Sequence, residues 1–184
     1  MKTHFLPHPS RLTQLKLWGL LLLWAGHPLP EAQIVVTEVM YHPQEQAGEE
    51  DPEKLEFIEL FNAGQKALSL EGLSFVEGVM FDFPTGAQLQ AGAYLIVAKN
   101  AQAIRDHYGI ENVMGNYEGS LDNNEETLRL VNALGESVTR FRYGTRGRWP
   151  ASADGAGDSL VLRQPLLNND DPESWTHSFL RGGS

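Results

Sequence analysis

The chain has 184 residues, and its 14 Lys and Arg against 24 Asp and Glu give a formal net charge of −10. This acidic balance argues against broad electrostatic attraction to nucleic acid or to anionic membranes. The sequence has no cysteine, which excludes disulfides and thiolate zinc sites, while 18 Gly and 10 Pro favour a turn-rich β-protein with a single domain.

Residues 1–32 have the layout of a secretory signal peptide. Basic residues precede an apolar run at 17–26, and two prolines follow it. A run of about ten residues is too short to cross a bilayer, which needs about twenty. We therefore predict export, cleavage near Ala32, a secreted or cell-envelope location, and no stable membrane span.

The remainder reads as a series of short strands separated by turns. Residues 33–41 form the first strand, and the charged loop 44–54 follows. The strand at 55–61 is apolar on both faces, which is typical of a strand covered on two sides. Further strands are predicted at 68–70, 73–75, 80–83, 93–98, 127–131, 136–143 and 159–163. Many short strands at regular spacing predict a β-sandwich.

One segment is typical of a helix. Asn100 is a suitable N-cap for residues 100–108, and Gly109 supplies the stop. The strands at 127–131 and 136–143 flank a short Gly-containing turn, so we predict a hairpin there. Residues 164–184 are interpreted as a polar tail.

Six motifs follow one another along this part of the chain. They are EFIELFN (56–62), LSLEGLSF (68–75), FDFPTG (81–86), AGAYLIVAKN (91–100), LDNNEETLRLVNALG (121–135) and RWPASADGAGDSLVL (148–162). In order and spacing they resemble the lamin tail domain, in the form found in exported bacterial proteins. The resemblance implies an immunoglobulin-like β-sandwich over residues 33–178, with 179–184 as a tail or the start of a linker.

The resemblance also implies a type of function. In nuclear lamins these domains act as interaction platforms for proteins and DNA, and in bacteria they typically accompany catalytic domains without contributing catalytic residues. We therefore expect a non-catalytic, exported module that binds a protein or cell-surface partner. This chain shows no such domain, and its end at 181–184 resembles the start of a linker, so we expect either a catalytic domain beyond Ser184 or a very short member of the family. Unlike nuclear lamins, it has no coiled-coil heptads before the module.

A basic cluster stands out in this acidic chain. It comprises Arg140, Arg142, Arg146 and Arg148, interleaved with Phe141, Tyr143 and Trp149. Guanidinium groups beside aromatic rings suit phosphate binding and base stacking, so binding of nucleic acid or another polyanion is one alternative. The other is a solvated strand face whose arginines pair with carboxylates, and the net charge favours it. Any ligand surface is expected at these arginines, together with Tyr143 and Trp149.

Gly157-Asp158-Ser159-Leu160 spells the nucleophile motif of GDSL-type hydrolases. An ester hydrolase using Ser159 is therefore a second alternative. It is disfavoured because the motif here opens the last predicted strand of a β-protein, rather than lying near the start of an α/β fold. Glu56 and Glu59 are three residues apart in a strand, so they are expected on opposite faces and not as an acid/base pair.

Two Asx-rich loops offer oxygen ligands of the kind that calcium takes. They place Asp122, Asp170 and Asp171 as calcium candidates, although neither loop has EF-hand spacing. The alternative is that these residues stabilise turns by bonding their own backbone. The histidines of this part are scattered, so no zinc or other cofactor is expected.

Overall fold

The computed structural model describes residues 34–45 and 51–179. In these residues the chain forms twelve β-strands, one α-helix and three short 3₁₀ helices. The strands are β1 (Ile34–Met40), β2 (Phe57–Asn62), β3 (Leu68–Ser69), β4 (Ser74–Glu77), β5 (Phe81–Asp82), β6 (Gln88–Leu89), β7 (Tyr94–Ala98), β8 (Val113–Gly115), β9 (Glu125–Val131), β10 (Ser137–Gly144), β11 (Leu160–Leu162) and β12 (Trp175–His177). The α-helix is α1 (Ala101–Tyr108), and the 3₁₀ helices are Pro52–Leu55, Ala151–Ala153 and Pro172–Ser174. The predicted signal peptide lies outside the described residues.

The strands form two main sheets that face one another. The larger sheet has six strands in the order β12-β11-β1-β2-β7-β8, and the smaller has four in the order β10-β9-β4-β5. Neighbouring strands run antiparallel, except that β7 and β8 are parallel. Strands β3 and β6 form a separate two-stranded ribbon. The predicted all-β, immunoglobulin-like sandwich with one short helix is confirmed.

The main hydrophobic core fills the space between the two sheets. Val36 and Ile58 point into it from the larger sheet, and Leu130 and Phe141 point into it from the smaller one. All four side chains are fully buried. Burying an aliphatic or aromatic side chain contributes roughly 1.5–3 kcal/mol, so this shared core holds the sheets together.

A second, smaller cluster lies on the opposite face of the larger sheet, beneath α1. Phe57 of β2 packs there against Tyr108 in an edge-to-face contact, with 6.1 Å between ring centroids. Ile104 of α1 is fully buried in the same cluster. Strand β2 is therefore covered on both sides, as its apolar composition predicted.

The ends of α1 are determined by local sequence signals. The Asn100 side chain accepts a hydrogen bond from the Ala103 N–H, and Gly109 adopts the left-handed conformation at φ 68°. The cap relieves an unpaired N–H of the first turn, and glycine adopts positive φ without a steric cost. Both predicted helix signals are confirmed.

The predicted hairpin is also confirmed, as β9 and β10. Within its turn, Asn132 Oδ1 accepts hydrogen bonds from the N–H groups of Leu134 and Glu136, each at 3.0 Å. A bulge between Ser137 and Thr139 interrupts the register, and the strands then pair residue for residue to Gly144.

One prediction from the sequence is wrong, and the sequence also missed short strands. Residues 164–184 are not simply a polar tail, because β12 pairs with β11 and completes the larger sheet. The loop after Gly109 contains β8, which pairs with β7. Neither β8 nor β12 shows a clear period of two in its own three residues, so only the pairing partners reveal these two strands.

No helix among the described residues is long and apolar enough to span a membrane.

Candidate functional site

The predicted basic cluster lies on and just after β10, which is one edge of the smaller sheet. Side chains alternate along a strand, so successive residues of β10 point to opposite faces. The side chains of Arg140 and Arg142 point outward and are each 58% exposed, whereas Phe141 and Tyr143 point into the core. The arginines and the two aromatic rings therefore do not share one surface, contrary to the interleaved binding face predicted from the sequence.

Each outward arginine of the strand faces a carboxylate. Arg140 Nε lies 3.9 Å from Glu77 Oε2, and Arg142 Nη2 lies 2.9 Å from Glu125 Oε2. Glu77 also pairs with Arg129 at 3.2 Å. These pairs are exposed and contribute little to stability, but they balance the positive charge of the face.

Arg148 and Arg146 differ in their surroundings. Arg148 Nη1 lies 2.6 Å from Glu173 Oε1, which links the loop after β10 to the Pro172–Ser174 helix. No carboxylate of residues 34–45 or 51–179 lies within ion-pairing distance of Arg146. Arg146 is therefore the arginine of the cluster whose charge is not balanced by an ion pair within the described structure.

Arg146 lines a small cleft at the C-terminal end of β10. The cleft has a volume of about 290 Å³ and is lined by Asn124, Glu125, Gly144, Thr145, Arg146 and Trp149. A Cβ at position 144 would lie 3.2 Å from Trp149 Nε1, so the glycine lets the indole approach the strand. The cleft thus combines an exposed guanidinium, a carboxylate, an amide and part of an aromatic ring.

Tyr143 and Trp149, which were included in the predicted ligand surface, both have structural roles, and packing is the role that the Trp149-Pro150 sequence itself favours. The Tyr143 hydroxyl donates to the carbonyl oxygen of Asp122 at 2.8 Å, and the ring stacks on Tyr41 at 4.8 Å. Burial, with the nearby Glu126, raises the pKa of Tyr143. Trp149 is half-buried and packs against the core, with 6.2 Å between its ring and that of Trp175.

The calcium candidates lie in turns that local hydrogen bonds between side chains and backbone N–H groups hold. Asp122 Oδ1 accepts from the Asn124 N–H at 2.7 Å, and this hydrogen bond lowers the pKa of Asp122. Asp171 Oδ1 accepts from the Glu173 N–H at 3.1 Å. The Asp170 N–H donates to Asn168 Oδ1. Within the part of the chain that the structure describes, no three acidic or histidine side chains are grouped to hold a metal ion.

Ser159, the nucleophile of the hydrolase alternative, is fully buried. Its hydroxyl donates to Glu38 Oε1 at 2.5 Å, and its N–H donates to Ser178 Oγ at 3.0 Å. The nearby His177 faces Asp158 at 3.3 Å. Among the described contacts, no histidine bonds to Ser159, so the residues of this motif do not form a serine–histidine pair.

A buried carboxylate, Glu38, and a half-buried one, Glu59, form the group that sequence reasoning missed. A bulge in β1 sets Thr37 and Glu38 against Glu59 of β2, and the Thr37 hydroxyl donates to Glu59 at 2.6 Å. Burial raises the pKa of Glu59 to about 7, and the like charge of Glu38 adds to the rise. The hydrogen bond from Thr37 opposes it. No local signal could have shown this, because it depends on the register between two strands.

Glu56 lies apart from this group, at the end of the sandwich. Its carboxylate accepts from the Tyr117 hydroxyl at 3.0 Å and from the Leu121 N–H at 2.9 Å. Burial raises the pKa of Glu56 to about 7, although these bonds and Lys99 act against the rise. The two glutamates have separate partners, as predicted for opposite faces of a strand.

Comparison with known proteins gives one finding. The family model described as Lamin Tail Domain matches residues 27–145. A search of curated proteins gave no match.

Proposed function

The chain belongs to the lamin tail domain family, and on this premise we propose that it is a non-catalytic module of an exported protein that binds another protein, at the cell surface or beyond it. The proposal rests on the burial and hydrogen bonding of the side chains that could otherwise take part in catalysis. Ser159, Tyr143 and Glu56 are buried and bonded to partners within the domain, which suits a structural role.

The polyanion alternative has less support from the geometry. Three of the four predicted arginines lie within 4 Å of a glutamate oxygen. The chain as a whole carries a net charge of −10, which repels a polyanion at long range. A protein partner can meet the same surface with complementary charges and backbone groups, so a protein fits it better than a uniform polyanion does.

Protein binding is tested by chemical cross-linking of the full chain within its native extracellular fraction. The proposal expects discrete adducts that an excess of unlabelled, folded chain competes away and that heat-unfolded chain does not. Adducts that are insensitive to this competition would contradict it. The export component is tested separately by fusing residues 1–32 to a reporter enzyme and locating its activity.

Ser159→Ala is expected to change stability and not catalysis. The substitution removes a buried donor to Glu38, so the free energy of unfolding should fall by about 1–3 kcal/mol. Urea unfolding measures this change, and a panel of nitrophenyl esters measures hydrolysis. Ester turnover that exceeds the buffer rate in the wild type and vanishes in the variant would establish the hydrolase alternative instead.

The double substitution Arg140→Ala and Arg142→Ala is expected to change heparin or duplex DNA binding by less than about twofold, because the net charge of −10 keeps such binding weak with or without these arginines. Binding is measured at low and moderate salt. A polyanion site would instead show a steep salt dependence, with a slope reduced by about two after the double substitution.

A further inference from the structure

We propose that the outer edge of β10 docks an extended, acidic segment of the partner, which adds to the smaller sheet as a further strand. The segment carries Asp or Glu at alternate positions, and one acidic side chain enters the cleft at Arg146. This inference rests on the proposed function, because it assumes a protein partner and identifies where and how that partner binds.

The first observation is the free edge of β10 itself. With eight residues, β10 is the longest edge strand, whereas the other edges β5, β8 and β12 have two or three residues each. β10 pairs with β9 alone, and no other backbone hydrogen bond within the described residues reaches it. An edge strand offers alternate N–H and C=O groups that an incoming strand can pair with.

The geometry of β10 permits such pairing over most of its length. The bulge is confined to the segment between Ser137 and Thr139, and the register then continues without interruption to Gly144. An added strand would therefore pair with residues 139–144, a length typical of strands in globular proteins.

The positive charges on the outer face of β10 indicate that the added strand is acidic. Arg140 and Arg142 stand on the same face of β10, and a neighbouring strand would place its alternate side chains beside them. Acidic residues at those positions form favourable cross-strand pairs, whereas basic residues are disfavoured. The present partners Glu77 and Glu125 are exposed, so the arginines can turn to an added strand at little cost.

The same charges disfavour a second copy of this chain as the occupant. Two copies of β10 paired antiparallel in one continuous sheet would bring arginines beside arginines across the new interface. Like charges directly opposite one another destabilise a strand pair. The arginines thus disfavour pairing between two copies of β10 and favour pairing with an acidic segment. This difference in affinity makes the edge specific for the acidic segment.

The cleft supplies the third contact. Gly144, the last residue of β10, is one of its lining residues, so the cleft adjoins the end of this edge strand. Arg146 lies there without a carboxylate partner in the described part of the chain, and its planar guanidinium suits a carboxylate. The Glu125 carboxylate also lines the cleft but is paired with Arg142 at 2.9 Å, so Arg146 is the group there that an acidic side chain of the segment would pair with.

The test uses the full chain and a labelled, end-capped peptide of alternating Glu and Val, with binding followed by fluorescence anisotropy. The acidic peptide is expected to bind at least about tenfold more tightly than a peptide of alternating Lys and Val. Arg142→Glu is expected to weaken binding of the acidic peptide by about tenfold or more and to improve binding of the lysine peptide. Arg146→Gln and Arg142→Gln, which remove a positive charge without adding a negative one, are each expected to weaken binding of the acidic peptide.

The matched control is Lys66→Glu, which makes the same charge change in the turn between β2 and β3, outside the β10 sheet. It is expected to alter affinity by less than about twofold. Two N-methylated peptides test the backbone contact, one methylated on every Glu and one on every Val. In an added strand the N–H groups either of every Glu or of every Val face β10, because N–H groups alternate in direction along a strand. Methylation of the set that faces β10 should abolish binding, and methylation of the other set should leave it intact.

Hydrogen exchange gives a readout that charge pairing alone would not produce. The outward amides of residues 139–143 are expected to exchange more slowly when the acidic peptide is bound. Heparin should not compete with the peptide, because it has no peptide backbone to pair. Equal binding of the acidic and lysine peptides, or peptide binding with unchanged exchange in β10, would overturn the inference.

The competition experiment of the proposed function separates the two claims. If the Arg142→Glu chain competes for the cross-linked adducts as well as the wild type does, the β10 edge is not the interface, although protein binding stands. If the wild-type chain itself does not compete, the proposed function fails as well.

Discussion

Replacing Trp175 by alanine is expected to lower the free energy of unfolding by about 3–5 kcal/mol, the range for deleting a large buried aromatic side chain. Trp175 is only 1% exposed, and its ring stacks on Phe141 with 4.6 Å between centroids. Its indole N–H donates to the Asn169 carbonyl oxygen at 2.9 Å. The side chain therefore links β12 both to β10 and to the preceding loop.

Urea unfolding followed by circular dichroism measures the change, since the substitution also removes a fluorophore. Phe179→Ala is the matched control, because Phe179 lies four residues further along and is 90% exposed. Its expected effect is within about 0.5 kcal/mol. A loss of less than about 1 kcal/mol for Trp175→Ala would mean that β12 is not an integral part of the core, contrary to the structure.

This prediction also concerns the extent of the domain. The family match ends at residue 145, yet Leu160, Leu162 and Trp175 contribute buried side chains to the main core. We therefore expect the cooperative unit of folding to extend beyond the matched residues, through β12.

The second large expected effect is a loss of stability as pH rises from about 5 to about 8. In the folded protein the pKa of Glu59 and that of Glu56 are each raised from 4.5 to about 7. The folded state therefore holds protons that the unfolded state has already released. The stability that these two protonated carboxyls contribute is fully present below pH 4.5 and is lost as pH rises through about 7.

Because one pKa unit corresponds to about 1.4 kcal/mol, each carboxyl accounts for a loss of up to about 3 kcal/mol. Glu59→Gln keeps the shape and the oxygen that accepts from Thr37, but it cannot ionise. The charged and titratable groups that face this position are Glu38 from β1 and Tyr94 from β7. The variant should match the wild type near pH 5 and exceed its stability by about 2–3 kcal/mol near pH 8.

Urea unfolding at a series of pH values from about 5 upward measures this difference, and that range avoids the titration of exposed carboxyls at lower pH. Glu111→Gln is the matched control, because Glu111 is exposed. It should differ from the wild type by less than about 0.5 kcal/mol at every pH. Parallel pH profiles for Glu59→Gln and the wild type would show that Glu59 ionises normally in the folded protein.

The elements predicted correctly from sequence are those with local signals. The cap at Asn100 and the glycine at 109 act within a few residues of α1, and β2 shows its two buried faces in its own composition. The turn between β9 and β10 likewise contains its own hydrogen bonds. Such features depend on neighbours in the chain, so a single sequence is sufficient to predict them.

The candidate site could be predicted only in part. The arginines of β10 were identified from their alternation, but their partners Glu77, Glu125 and Glu173 come from other segments. The inward direction of Tyr143 and the burial of Ser159 depend on which faces the two sheets bring together. Short strands such as β12 become visible only through the strands that they pair with.

The sequence by itself therefore determined the β-sandwich class and the positions of the main strands along the chain, because periodicity and turn chemistry are local properties, and the order and spacing of its motifs carried the resemblance to the family. The tertiary structure alone decided that β10 is a free edge, that Arg146 lines a cleft, and that Glu38 faces Glu59. These features arise from contacts between residues far apart in the chain. Ser159 and Glu38, for example, are separated by 121 positions and bond only once the sheet has formed.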